Sequence, residues 1–292
     1  MKVVITGAGG MVAAEFTRQF SAYAEVLALT HRQLDIANFE AVREVITQNR
    51  PDLVINCAVL GVDACELNAA NAWAVNTDGA ENLAKAAAAM DAAHVQMSTN
   101  FVFGNDEMRS SFLTSKDEPQ PLNLYGQTKL AGERAARAAT SRCFIIRTSW
   151  VFGLGKANFF SSVPRQLTTA QPIKAITDVW ASSTYVRDLV SRVIEIVRHG
   201  RYETYHVVNS GLCSYYDFAR EVACLIDDSG SRFDKLIEPV ELAELWLSAR
   251  RPRYTPLRCL VSEELGLPPM RDWKAALREY LEECKTCQAW VQ

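Results

Sequence analysis

The first half of the chain alternates between short β-branched apolar runs and longer stretches with helical spacing. Residues 2–6, 25–29, 53–57, 93–97 and 143–148 read as strands. Residues 11–21, 39–48, 71–90 and 125–139 read as helices. Strands that alternate with helices make βαβ units, and right-handed crossovers wind them into a parallel sheet covered on both faces. The predicted fold is therefore α/β: a doubly wound, Rossmann-type parallel sheet with ligands at the carboxyl ends of its strands. After Trp150 the rhythm changes, and Gly, Asn, Phe and Pro interrupt it. A helix over 184–198 and a strand over 204–208 return to the sheet, and from Asn209 on the chain reads as helical with proline-bearing loops. This predicts a dinucleotide-binding domain from 1–149 and 182–208, and a smaller, discontinuous substrate-binding lobe from 150–181 and 209–292.

Composition narrows the function classes. The chain has 292 residues, 49% of them hydrophobic, enough for a sizeable core. Its net charge of −3 argues against a nucleic-acid or membrane-surface partner, which would favour a basic excess. The basic cluster Arg250, Arg251, Arg253 is local and sized for one anionic ligand. No apolar run is long enough to span a bilayer, and the N-terminus runs straight into a glycine loop without a signal-peptide pattern. A reducing cytoplasm is the expected setting. Of the eight cysteines, Cys57, Cys143 and Cys224 lie in apolar stretches and read as core residues. Cys284 and Cys287 form a CxxC, but no second pair or histidine completes a zinc set, so no metal is expected.

Gly7-Ala-Gly9-Gly10-Met-Val-Ala13 follows the first strand and opens the first helix, in the pattern GxxGxxA. Glycines let the backbone turn sharply and approach a pyrophosphate at the helix N-terminus, and the small third residue lets helix and sheet pack closely. This context points to a nicotinamide dinucleotide. The residues expected around it are Gly7, Gly10, Met11 and Val12, then Arg32, Asp35 and Ile36 after the second strand, and Cys57, Ala58 and Val59 after the third. An acid at the end of the second strand would hold a ribose 2′-hydroxyl; Arg32 stands there instead and suits a 2′-phosphate. This favours NADPH over NADH. Asp35 reads either as a neighbour of the adenine or as a helix cap.

Tyr125-Gly-Gln-Thr-Lys129 is a YxxxK. On a helix these side chains share a face, so the ammonium lies beside the phenol. A neighbouring cation should lower the tyrosine pKa from about 10, which suits a group that gives or takes a proton. Upstream, Thr99 in Met97-Ser98-Thr99-Asn100 follows a strand, where a hydroxyl can reach a carbonyl oxygen. Thr99, Tyr125 and Lys129 are the candidate catalytic residues, and Tyr125 and Lys129 also count among the cofactor contacts.

These features, with VDACE at 62–66, PLNLYGQTKLAGE at 121–133, RTSWVFG at 147–153, STYVRDL at 183–189 and RRPRYTPL at 250–257, resemble an extended short-chain dehydrogenase. More closely, the chain resembles the dTDP-4-dehydrorhamnose reductase family, over nearly its whole length. The resemblance implies reduction of the C4 keto group of a nucleotide-diphospho-4-keto-6-deoxyhexose in deoxysugar synthesis. Tyr125 would protonate the C4 oxygen, Lys129 would hold the nicotinamide ribose, and Thr99 would bind the same oxygen as Tyr125. The implied substrate contacts are Thr99, Asn100, Trp150 against the hexose, Asn158 near the nucleotide, and Arg251 on the diphosphate. Trp150 reads equally well as a core residue. The resemblance also allows a homodimer.

The chain departs from the family pattern in the substrate pocket. Asn100 replaces the usual Asp, Phe101 the usual Tyr, and Asp178-Val-Trp-Ala-Ser-Ser a different motif. Two alternatives stay open: another nucleotide-sugar epimerase or reductase of the same superfamily, and a non-catalytic subunit resembling the methionine adenosyltransferase beta subunit. The absence of an acid at 100 and 101 counts against a dehydratase.

Overall fold

Val3, Val4 and Ile5 are completely buried because the sheet they enter is covered on both sides. The computed structural model describes residues 1–104, 110–155, 157–227 and 231–287. In chain order, β1 (Lys2–Thr6), α1 (Met11–Phe20), β2 (Glu25–Leu29), α2 (Phe39–Asn49) and β3 (Leu53–Asn56) build the first units. Then come α3 (Val62–Leu67), α4 (Ala69–Trp73), α5 (Gly79–Ala89), β4 (Ala93–Thr99), α6 (Leu124–Ala139) and β5 (Cys143–Thr148).

The remaining elements are β6 (Val151–Phe152), α7 (Phe159–Thr168), β7 (Ile173–Ile176), β8 (Trp180–Ala181), β9 (Thr184–Tyr185), α8 (Val186–His199) and β10 (Thr204–His206). They continue with β11 (Cys213–Ser214), α9 (Tyr215–Ile226), β12 (Ile237–Val240), β13 (Tyr254–Thr255), α10 (Leu260–Glu264) and α11 (Trp273–Thr286).

The main sheet has six strands in the order β10-β5-β4-β3-β1-β2, all parallel. Side chains alternate between its faces. Val3, Ile5, Leu53 and Ile55 pack with Phe16 of α1 and Leu189 of α8 on one side. Val4 and Val54 pack with Val42 of α2 and Leu83 of α5 on the other. A second core joins Phe152, Phe160, Tyr185, Phe218, Trp273 and Tyr280. The strand order reverses beside β1, which puts the first loop and the ends of β3 and β4 on one rim.

The structure changes several expectations. The helix expected over 71–90 is two helices joined by a π-helical turn, Ala74–Asp78. Buried Asn76 explains the extra residue: its amide grips the backbone of Leu60 through both N–H and C=O and donates to Thr128 Oγ1 at 3.1 Å. The helix expected from 184 begins at Val186, because Thr184 and Tyr185 pair with Val151 and Phe152 as a short strand. The region after Asn209 contains three short strands as well as helices, each paired to a segment distant in sequence. Cys143 is buried, Cys57 is half-buried, and Cys224 is exposed rather than in the core. Among the described residues, no helix is long and apolar enough to cross a membrane.

Candidate active site

Thr99 is the last residue of β4, in register with Thr148 of β5. Its Oγ1 accepts from the Phe101 amide at 3.2 Å and donates to Asn100 Oδ1 at 3.3 Å. Asn100 in turn donates to Thr255 Oγ1 at 2.7 Å. This short chain of hydrogen bonds fixes the Thr99 hydroxyl and ties it to β13.

Tyr125 stands in the first turn of α6. Asn123 caps that helix by accepting from the Gly126 amide at 2.8 Å. Glycine is required at 126 because a Cβ there would lie 2.1 Å from the Phe101 carbonyl oxygen. That close approach sets the helix against the end of β4 and brings the Tyr125 phenol to the Thr99 hydroxyl. The ring lies edge-on to Phe101, with centroids 5.7 Å apart.

Lys129 follows one turn later, buried, and donates to the Met97 carbonyl at 2.6 Å. One turn further, Glu133 accepts from Arg147 at 2.9 and 2.7 Å and from Ser98 Oγ. Burial pushes Lys129 down to about 8, while the Glu133 carboxylate works in the opposite direction. The phenol corrects the expectation of a lowered pKa. Loss of hydration outweighs its contact with Thr99 and pushes Tyr125 up to about 12. At neutral pH the site therefore holds a protonated phenol, the form a proton donor needs.

The dinucleotide residues fit such a ligand. Gly7 has φ +74°, and a Cβ there would sit 2.7 Å from the Ala58 amide and the Cys57 carbonyl, so the first loop lies directly on the end of β3. The N-terminus of α1 has no side-chain cap and no acidic residue in its first turn. Its amides, at Met11 and Val12, are thus suited to a pyrophosphate. Arg32 is exposed and pairs with no carboxylate among the described residues. Asp35 accepts from the Ala37 amide at 3.0 Å, while Asn38 caps α2. Ile36 is buried, Cys57 and Ala58 are half-buried, and Val59 is exposed.

The substrate candidates are less uniform. Trp150 has a left-handed backbone, φ 40°, and its half-buried ring packs on Phe160 and Tyr215 at 4.8 and 4.3 Å. Asn158 caps α7 through Ser161 and donates to the Val151 carbonyl. Arg251 is forked onto Asp63. Sequence reasoning missed Asp63, Asn123, Ser98, Glu133 and Arg147. Only two carried a local signal: Asn123 as an N-cap ahead of a helical pattern, and Glu133 at helical spacing from Lys129. Among the described residues no His, Cys, Asp and Glu cluster is suited to a metal.

The parallel sheet, with its glycine loop on the rim formed by the ends of β3 and β4, has the architecture of an extended short-chain dehydrogenase. The chain belongs to the RmlD substrate binding domain family, whose profile matches residues 1–286. It is 38% identical to a dTDP-4-dehydrorhamnose reductase of Mycolicibacterium smegmatis, over 95% of this chain and 84% of that one. It is 37% identical to the spore coat polysaccharide biosynthesis protein SpsK of Bacillus subtilis, over 97% of both chains. The crystal structure of a Bacillus anthracis dTDP-4-dehydrorhamnose reductase in complex with NADP superposes with a TM-score of 0.89 at 30% identity, covering 97% of this chain and 99% of that one.

Proposed function

We propose that this chain reduces the C4 keto group of a nucleotide-diphospho-4-keto-6-deoxyhexose with NADPH, a step in deoxysugar precursor synthesis. The observation that carries this reading is the convergence of Thr99, Tyr125 and Lys129 at the end of β4, on the same rim of the sheet as the glycine loop. A reduced nicotinamide supplies a hydride to C4. The carbonyl π pair moves to oxygen, and Tyr125 gives its proton to that oxygen, so the product is an alcohol. Thr99 holds the oxygen in place. Lys129 supplies positive charge beneath the phenol and a donor for the nicotinamide ribose. Donors aimed at an oxygen that gains charge lower the barrier most, because their contribution grows in the transition state.

In this reading residues 1–149 and 182–208 hold the cofactor, and 150–181 and 209–292 shape the substrate side. Gly7, Gly10, Met11 and Val12 take the pyrophosphate, Arg32 the 2′-phosphate, Asp35 and Ile36 the adenosine, and Cys57, Ala58 and Val59 the inner ribose. Asn100 and Trp150 border the hexose, Asn158 lies on the nucleotide side, and the 250–253 arginines face the diphosphate. The names of the relatives support a dTDP-linked substrate. The test is oxidation of NADPH on addition of dTDP-4-dehydrorhamnose, with formation of the 4-hydroxy sugar checked by mass spectrometry. Absence of turnover with thymidine, uridine, guanosine and cytidine diphosphate keto-sugars alike would overturn the proposal.

A further inference from the structure

Thr6 of β1, Asn56 of β3 and Gln96 of β4 form one buried row across neighbouring strands, Thr6 in register with Asn56 and Asn56 with Gln96. Their side chains join the row. Asn56 Oδ1 accepts from Thr6 Oγ1 at 2.8 Å and from the Ala58 amide at 3.1 Å. Asn56 Nδ2 donates to Gln96 Oε1 at 2.9 Å, and His94 Nε2 lies 3.4 Å from the same oxygen. Gln96 Nε2 then donates to the Met97 carbonyl at 3.1 Å. That carbonyl is the one that also accepts from Lys129, at 2.6 Å. A continuous run of hydrogen bonds therefore leads from the Ala58 amide, beside the glycine loop at Gly7, to the ammonium of Lys129.

The two ends of this run fix its direction. A backbone amide only donates, and a backbone carbonyl only accepts. The Ala58 amide thus requires the oxygen of Asn56, which turns the Asn56 nitrogen towards Gln96. Gln96 meets it with its oxygen and turns its own nitrogen to Met97. Neither carboxamide can flip without setting donor against donor and acceptor against acceptor, and such mismatches are costly in a dry interior. We propose that Gln96 is a positioning residue that sets Lys129 against the cofactor loop. This rests on the reductase reading above, in which Lys129 serves the nicotinamide ribose and Ala58 borders it. Asn56 holds the Ala58 amide, the Met97 carbonyl holds the Lys129 ammonium, and Gln96 is the side chain common to both. With Gln96 in place, the lysine and the loop after β3 keep a set separation.

Stopped-flow oxidation of NADPH with dTDP-4-dehydrorhamnose, and fluorescence titration with NADPH alone, test the assignment. Gln96→Met keeps the length of the side chain and removes its hydrogen bonds. The single-turnover rate should fall roughly tenfold, as expected when a reacting group is slightly misplaced. NADPH should bind about fivefold more weakly, while the KM for the keto-sugar stays within about twofold of wild type. Gln96 acts on the rate through Lys129, so adding Gln96→Met to Lys129→Met should cost less than about twofold more. A purely structural loss would multiply instead. Should Gln96→Met not fold, Gln96→Asn, one methylene too short to span Asn56 and Met97, is read in the same way. Wild-type rate and NADPH affinity would overturn the inference, and so would rate losses that multiply. If the wild-type chain bound NADPH but reduced no nucleotide-linked keto-sugar, the substrate assignment would fall. NADPH affinity in Gln96→Met would then still decide the inference, weaker binding supporting it and unchanged binding overturning it.

Discussion

Lys129 donates from its ammonium to the main-chain carbonyl of Met97 at 2.6 Å, so α6 is pinned to the strand that ends in Thr99. Burial lowers this lysine to about 8, below its unfolded value of 10.5. In the proposed mechanism the protonated form is the working one, so kcat/KM should fall as pH rises through about 8, and Lys129→Met should abolish that limb together with most of the activity. The stability sign runs the other way. The unfolded chain holds this proton more tightly, so the cost of burying the ammonium is greatest below pH 8 and disappears between about 8 and 10.5. Denaturant titrations of wild type should show this gain, of order 3 kcal/mol before other groups contribute, and Lys129→Met should lack it.

Tyr125→Phe keeps the ring and its edge contact with Phe101 while deleting the proton. Folding and NADPH binding should persist, and the single-turnover rate should fall by about 10²–10⁴-fold, the usual worth of a positioned acid. A wild-type rate in that experiment would remove Tyr125 from the mechanism.

Glu133 and Arg147 form an ion pair whose side chains are only 6% and 7% exposed. Removing one partner leaves the other charged in a dry environment. Glu133→Ala should therefore destabilise the chain by about 3–5 kcal/mol, measured by chemical denaturation. Glu133→Gln retains the shape and acceptors and should be milder. It also removes the carboxylate that supports the Lys129 charge, so the alkaline limb of its pH profile should move to lower pH.

His94 is fully buried, and loss of hydration lowers it from 6.5 to about 4. The unfolded chain takes up this proton first, so the stability it contributes is complete above pH 6.5 and is lost as pH falls towards 4. His206 is lowered further, to about 3, by burial and by Arg147. The melting temperature should drop steeply over this window, and His94→Gln should flatten the drop by up to about 1.4 kcal/mol per pH unit.

Arg32 is exposed just after the second strand, and among the described residues it pairs with no carboxylate. If it meets the 2′-phosphate, Arg32→Ala should raise the KM for NADPH at least several-fold more than that for NADH. An unchanged ratio of the two would place the phosphate elsewhere.

The repeating elements, the glycine loop and the YxxxK were legible in the sequence because each is local. Period-two and period-3.6 patterning mark which residues are buried, and helical spacing alone puts Tyr125 beside Lys129. The contacts that hold the proposed catalytic residues were not local. The carbonyl that pins Lys129 lies on another element, and Glu133 meets an arginine from the next strand and a serine from the previous one. The phenol pKa was misjudged for the same reason: spacing shows which residues share a helix face but not the loss of water around the ring, which pushes Tyr125 up. The three arginines look alike in sequence. Only the tertiary packing decides that Arg251 is committed to Asp63 and Arg253 to Asp178 while Arg250 is exposed, because ion pairs depend on distance in space and not along the chain.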